Sequence, residues 1–221
     1  MRLLAIETSS RRGSVALWED GAVIARATHS ELNAHAEQLR PLIDRVMAEA
    51  GWTRQSVGRI GVGMGPGSFT GLRVGIAFAQ GIALGLGIPW TGVGSLEALA
   101  AACPPEVGEP RVALLDARRD EVFAQAFDRA GGALSRAEAL PRSSALATLA
   151  ARFPGAVFLG EIASDLGAGP VFRSEGTDLP DAIGVAHLAA QRSPEQGLRE
   201  PLYVRDAGAT PQELPPSPLR D

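Results

Sequence analysis

The sequence contains no lysine: all 21 of its cationic side chains are arginine. A phosphate-loop lysine, a Schiff-base lysine and a lysine general base are therefore excluded whatever the fold. It has one cysteine, Cys103, which can close no internal disulfide and, followed by Pro104 and Pro105, stands in no metal-ligand spacing. A reducing compartment is the expectation. Histidine is scarce, and His29, His35 and His187 include no pair four residues apart that would set two ligands on one helical face. Neither a zinc nor an iron site is expected. Positive charge is not in excess either: 21 cations against 25 carboxylates leave a net charge of −4. No strong field would hold the chain by itself on a nucleic-acid backbone or an anionic membrane, so contact with RNA would need a partner. No serine stands in a nucleophile elbow, and a peptidase reading has no residues behind it.

What is present is a 221-residue chain with 45% hydrophobic residues and 26 glycines, enough for one or two compact units. The first apolar run, residues 3–6, is closed at once by Glu7. No export signal is expected there, and a cytoplasmic location is the expectation. Residues 74–96 carry no charge and could cross a bilayer on length alone, but Gly85, Gly87 and Pro89 interrupt them. They read as a buried helix, a turn and a buried strand rather than a membrane span.

Residues 3–6, 14–18 and 22–25 read as three antiparallel strands, with Asp20-Gly21 as the second turn. Leu32, Ala36, Leu39, Ile43, Val46, Met47 and Ala50 then recur at three- and four-residue spacing, which predicts an amphipathic helix closed by Gly51 and kinked at Pro41. A strand over 59–62, a glycine-rich connection over 63–70, a helix over 71–86, a strand over 88–93 and a helix from Ser95, its predicted N-cap, complete the first unit. This order implies an α/β fold of the actin-like ATPase, ribonuclease H-like type: two subdomains, each a mixed sheet flanked by helices. Breakers over 104–110 place a boundary that divides residues 1–103, with the first sheet, from a smaller subdomain over 104–205. In the second unit we expect strands over 112–115, 121–127, 156–159 and 201–204, a helix over 144–152 and a helix capped by Asp181. Four prolines between Pro211 and Pro218 give residues 206–221 the composition of a disordered tail.

Three segments could carry chemistry. From Gly61 to Gly67 every second residue is glycine, and Gly71 and Gly75 follow into the helix. Such a loop lets amides approach an anion at a positive helix end, with Gly65, Gly67 and Ser68 as contacts, or lets the chain pack closely on itself. Glu7, Thr8 and Ser9 form a tight turn at the end of the first strand, a second possible nucleotide or anion contact. One carboxylate is too few for a ribonuclease H metal cluster. The hairpin turn of residues 116–121 carries Arg118 and Arg119, suited to solvent, to RNA or to a partner's carboxylate.

Leu4-Ala-Ile-Glu7-Thr-Ser9, the string Gly65-Pro-Gly-Ser-Phe-Thr-Gly-Leu-Arg-Val-Gly75, Leu115-Asp-Ala-Arg118 and Glu200-Pro-Leu-Tyr-Val-Arg205 together resemble the bacterial TsaB family, also called YeaZ, of the glycopeptidase-like superfamily. The resemblance spans residues 1–205 and weakens between 130 and 195. It implies a non-catalytic scaffold subunit, without metal, supporting transfer of threonylcarbamoyl to N6 of adenosine 37 in tRNAs reading codons that begin with A. The implied partners are the catalytic paralogue TsaD, the ATPase TsaE and, in isolation, a second copy of the chain. tRNA would be met only through the complex, and ATP or ADP only at its interface. Catalytic relatives bind metal through a histidine pair on a helix, whereas the matching helix here has only His35, with Leu39 four residues on. The resemblance places the partner interface on the first two long helices: Leu32, His35, Leu39, Ile43 and Met47 on one, Thr70, Arg73, Val74, Ala77, Gly81 and Leu84 on the other. Small residues Gly75, Ala79, Gly81 and Ala83 would let partner helices approach. His35, off the main apolar stripe, is expected in solvent or at that interface. The residues alone leave one alternative open, an actin-like ATPase or phosphotransferase acting by itself through the turn after Glu7 and the loop of residues 65–70.

Overall fold

The structure, a computed structural model, describes residues 1–31, 34–104, 106–167, 169–173 and 176–204. Leu32 and the proline-rich segment 206–221 therefore lie outside the described residues. Strands β1 (Arg2–Glu7), β2 (Gly13–Glu19) and β3 (Ala22–His29) form the expected meander, and α1 (His35–Ala50) follows. Gly51 closes α1 in the left-handed conformation (φ 66°), which glycine adopts without a Cβ penalty. Then come β4 (Arg59–Gly63), α2 (Phe69–Leu86), β5 (Trp90–Val93) and α3 (Ser95–Ala101). Helix α2 begins two residues earlier than its spacing suggests because the Ser68 side chain caps it, accepting from the Gly71 N–H. Ser95 is not a cap: Gly94 takes that position, which frees the Ser95 hydroxyl for other work.

The second unit contains β6 (Arg111–Arg118), β7 (Glu121–Phe127), β8 (Glu138–Pro141), α4 (Arg142–Arg152), β9 (Val157–Leu159), α5 (Glu161–Asp165) and α6 (Ala182–Gln191). Asp181 caps α6 as expected, accepting from the Ile183 N–H. Residues 201–204 form no strand; they run beside the first sheet, with the Leu202 N–H donating to the Met64 carbonyl at 2.7 Å.

The first sheet has the order β3-β2-β1-β4-β5 and the second β8-β7-β6-β9. In each, two antiparallel pairs are followed by a parallel return, β1 with β4 and β6 with β9. The same wiring thus occurs twice without a detectable sequence repeat. Alternation along the strands sorts the layers. Leu4, Ile6, Val15 and Leu17 meet α1 and α2, while Leu3, Ala5 and Ala16 face α6. The second sheet is covered on one face by α3, through Leu96 and Leu99, and on the other by α4, through Ala145 and Leu149. The boundary near residue 104 separates the two sheets, but α6 crosses back onto the first. Gly61 admits it there, since a Cβ at that position would stand 3.0 Å from Ala189 Cβ.

Helix α2 is long and apolar enough to cross a membrane by length and composition. Here it lies on the first sheet with one face inward, through Leu72, Gly75, Ala79 and Ala83, and the other in solvent. The expectation of a buried helix is corrected accordingly: burial divides it where hydropathy does not.

Candidate functional site

The parallel strands β1 and β4 end beside one another, so the turn after β1 and the loop after β4 share one edge of the sheet. Glu7 is fully buried there. Its carboxylate accepts from the Ser9 N–H at 2.6 Å and from the Ser95 hydroxyl at 2.9 Å, and Ser95 Oγ in turn accepts from the Gly65 N–H at 3.1 Å. Burial pushes the Glu7 pKa up, and the hydrogen bonds from Ser9 and Ser95 oppose the rise. Nothing larger than glycine fits opposite it, because a Cβ at Gly63 would lie 2.1 Å from Glu7 Oε2.

The glycines of the loop are used by the chain itself. A Cβ at Gly67 would lie 2.2 Å from the Ser9 carbonyl oxygen, at Gly71 2.1 Å from that of Thr8, and at Gly75 2.2 Å from Thr8 Oγ1. The Thr8 hydroxyl donates to the Gly71 carbonyl at 2.8 Å, and the Ser68 N–H donates to the Ser9 carbonyl at 2.6 Å. Of the six residues expected to touch an anion, Ser9, Gly67 and Ser68 line a cleft between the two sheets, whereas Glu7, Thr8 and Gly65 do not.

His35 is not in solvent. It is buried beneath this turn, its Nε2 3.0 Å from the Ser10 carbonyl and its Nδ1 2.9 Å from His29 Nε2. A carbonyl only accepts, so His35 Nε2 carries the proton and Nδ1 accepts from His29 Nε2–H. That leaves His29 Nδ1 buried, unprotonated and unpartnered. Burial pushes both pKa values down, and for His29 the neighbouring His35 adds to the shift. The i,i+4 spacing could not reveal this pair, because the second ring comes from β3.

The expected interface residues divide. Leu39 and Met47 lie in the core of their own chain, as do Gly75, Ala79 and Ala83. His35 and Leu39 are thus covered by their own chain, whereas Met47 and the half-buried Ile43 border the groove between α1 and α2. Thr70, Arg73, Ala77, Gly81 and Leu84 are exposed along one side of α2, with Val74 half-buried. Leu84 is 85% exposed. Between α1 and α2 runs a largely apolar groove of about 420 Å³ that includes Ile43, Phe78, Ile82 and Leu86.

Arginines of the first unit hold acids from beyond residue 104, and one of these pairs, Arg11 with Glu161, borders the cleft. Arg11 grips Glu161 at 2.5 Å, and Arg12 holds both oxygens of Asp178 at 2.8 and 2.9 Å. Arg26 holds the fully buried Asp181 at 2.5 and 3.1 Å. The Arg12 guanidinium keeps the Asp178 carboxyl below the usual range against a burial effect that would raise it. Sequence reasoning missed these pairs, as it missed Ser95. The one available signal was a pair of acids, Asp178 and Asp181, flanking Leu179-Pro180. Among the described residues no three histidine, cysteine or acidic side chains gather as a metal site.

A family model described as TsaD, tRNA N6-adenosine threonylcarbamoyltransferase, matches residues 23–163, more than half of the chain. The Escherichia coli protein named tRNA threonylcarbamoyladenosine biosynthesis protein TsaB is 40% identical over 132 residues, covering 58% of this chain and 56% of that one. The chain spans about half the length of the curated relatives it matches. YeaZ from Pseudomonas aeruginosa superposes with a TM-score of 0.73 at 28% identity, covering 91% of this chain and 99% of that one. The activator of 2-hydroxyisocaproyl-CoA dehydratase from Clostridium difficile shares the fold alone, with a TM-score of 0.54 at 12% identity over 86% of this chain and 95% of the other. The chain therefore belongs to the family that the threonylcarbamoyltransferase model describes and, within it, stands with the TsaB, or YeaZ, proteins.

Proposed function

We propose that the chain is a non-catalytic scaffold subunit in the synthesis of threonylcarbamoyladenosine, supporting transfer of threonylcarbamoyl to N6 of adenosine 37 in tRNA by a TsaD partner in the cytoplasm. TsaE joins that assembly, and a second copy of the chain takes the partner's place when it is absent. One observation carries the reading: the outward side of α2 is built for a neighbour. Gly81 and Gly85 each cost a helix roughly 0.5–1 kcal/mol relative to alanine, yet a Cβ at either would meet nothing within 4 Å. Their own chain gives no reason for them. Bare backbone at those two positions, with Ala77 one turn before, admits a second helix closely, and the exposed Leu84 and the groove beside Ile82 supply apolar area for it to cover.

The absence of lysine and the use of the glycine loop as packing for the turn of residues 7–9 speak for assistance rather than chemistry. The test is co-purification with the TsaD partner and with a differently tagged copy of the chain. Leu84→Asp and Gly81→Arg should each weaken association at least tenfold, the scale of a hot-spot residue, while leaving far-ultraviolet circular dichroism unchanged. Unaltered association in both variants would move the interface elsewhere. Threonylcarbamoyl transfer by the purified chain alone would end the scaffold reading.

A further inference from the structure

Helices α1 and α2 pack on the same face of the first sheet, yet they leave a gap between them. That groove, of about 420 Å³, is within the size range of small-ligand sites. Its walls include Phe78 and Ile82, and its floor reaches Leu4 on β1 and Val57, core residues with 2% and 4% exposure. Close-packed interiors ordinarily leave no such space between neighbouring elements. A helix laid over the outside would cover the groove without filling it, because the ridges of a helix enter only the shallow rows between side chains. Filling it down to the sheet takes a slender apolar chain.

The charges of the groove are few and unequal. Among the described residues its charged lining is Arg40, Asp44 and Arg54, two cations against one acid. Asp44 is shared, 3.6 Å from the Arg40 guanidinium and 3.3 Å from that of Arg54. The two arginine side chains are 75% and 67% exposed, so their heads stand at the mouth and can turn to a second anion while their aliphatic stems extend the apolar wall. The α2 wall contributes no charge, since Arg73, its one charged residue, does not line the groove. Phe78, Ile82 and Ile43 are half-buried with no chain of their own to cover them further.

A deep apolar interior with a net positive mouth suits an amphipathic anion: the chain is driven in by burial of its methylenes, and the head is met by arginine at the surface. We propose that this groove binds a free acyl carboxylate, its alkyl chain between Phe78 and Ile82 above Leu4 and its carboxylate at Arg40 and Arg54. The inference goes beyond the scaffold reading and does not depend on it, because every residue of the site belongs to one chain.

Calorimetry on the full chain at neutral pH and low protein concentration tests it with hexanoate, octanoate, decanoate and octylammonium. Affinity should rise about fourfold with each methylene added, the gain of burying that group, and decanoate should saturate at submillimolar concentration. Octylammonium, with the same chain as octanoate and the opposite charge, should bind roughly tenfold more weakly. In the double variant Arg40→Gln, Arg54→Gln, two exposed positions, that gap should close while the dependence on chain length persists. A merely structural role for the arginines would not give that combination. Absence of saturation at millimolar decanoate, affinity indifferent to chain length, octylammonium binding as tightly as octanoate, or an undiminished gap in the double variant would each overturn the proposal. So would a dimer in sedimentation that persists on dilution and takes up no decanoate, which would assign the groove to a second copy of the chain.

Discussion

One substitution, glycine to alanine, should have opposite consequences six residues apart on the same helix. In a helix interior it ordinarily stabilises by roughly 0.5–1 kcal/mol through reduced backbone entropy in the unfolded chain. At Gly81 a Cβ meets nothing within 4 Å, so the full gain is expected. At Gly75 the same atom would stand 2.2 Å from Thr8 Oγ1, and 3.4 and 3.6 Å from Thr8 Cβ and Cγ2, so the threonine has no easy retreat. Moving it breaks the buried bond from its hydroxyl to the Gly71 carbonyl. That loss and the overpacking are each of order 1–3 kcal/mol, for a net destabilisation of roughly 1–5 kcal/mol once the helix gain is deducted. Urea denaturation at several low protein concentrations separates these effects on the monomer from those on association. Gly81→Ala should raise the midpoint of the dilute chain and, if the proposed interface holds, at the same time weaken pairing with a TsaD partner, because a methyl group would then stand where the partner's helix is proposed to approach. Stabilisation by Gly75→Ala would refute the packing argument. Destabilisation of the dilute monomer by Gly81→Ala would show that the outward glycines serve their own fold.

The histidine pair makes stability pH-dependent. Both rings titrate below their ordinary 6.5 in the folded chain, so the unfolded chain binds more protons; stability is complete above that value and declines as pH falls through it toward the folded values. His29→Gln should flatten this slope in urea midpoints taken from about pH 8 to about pH 5, and an unchanged slope would assign it elsewhere. Glu7 acts with the opposite sign: its raised pKa makes stability increase as pH falls through the folded value toward 4.5, and Glu7→Gln should remove that increase. Asp181→Ala should cost about 2–4 kcal/mol, since it removes the fully buried carboxylate that accepts twice from Arg26 and caps α6 through the Ile183 N–H. A loss under about 1 kcal/mol, the scale of a solvent-screened surface pair, would show that water replaces the carboxylate.

Periodicity and turn chemistry carried most of the fold. Asp20-Gly21, Gly51 and the apolar stripe of α1 are local signals, and the structure uses them locally. Strand β8 was illegible because three of its four residues, Glu138–Pro141, are half-buried and the last is exposed, with no clean alternation. The site was legible in composition but not in use. A glycine that admits a phosphate and a glycine that admits a neighbouring carbonyl look identical in sequence, and only the atoms facing Gly67, Gly71 and Gly75 show that the loop closes on residues 8 and 9. The arginine clamps join residues 150 to 166 positions apart, so no spacing rule could have found them. His35 misled for a related reason: its hydrogen-bonding partner His29 lies on β3, where no helical spacing could point to it.

Those clamps bear on how the molecule can work. Opening the cleft would pull Arg11 from Glu161 and Arg12, 13% exposed, from both oxygens of Asp178 and from the Leu179 carbonyl, while Asp181, held with α6 on the first sheet, would stay with Arg26. Losing the bidentate pair and the carbonyl bond costs roughly 1–3 kcal/mol, which holds an open form to a minority of molecules. Helix α6 adds to the restraint, since it follows Asp181 directly and packs on the first sheet through Val185 and Ala189. The cleft therefore keeps one shape in most molecules, and a catalytic cycle of wide opening and closing would meet a barrier at every turn. For a scaffold the same rigidity is an advantage: the outward side of α2 is held in one orientation before any partner arrives, so that association need not also order the surface it uses.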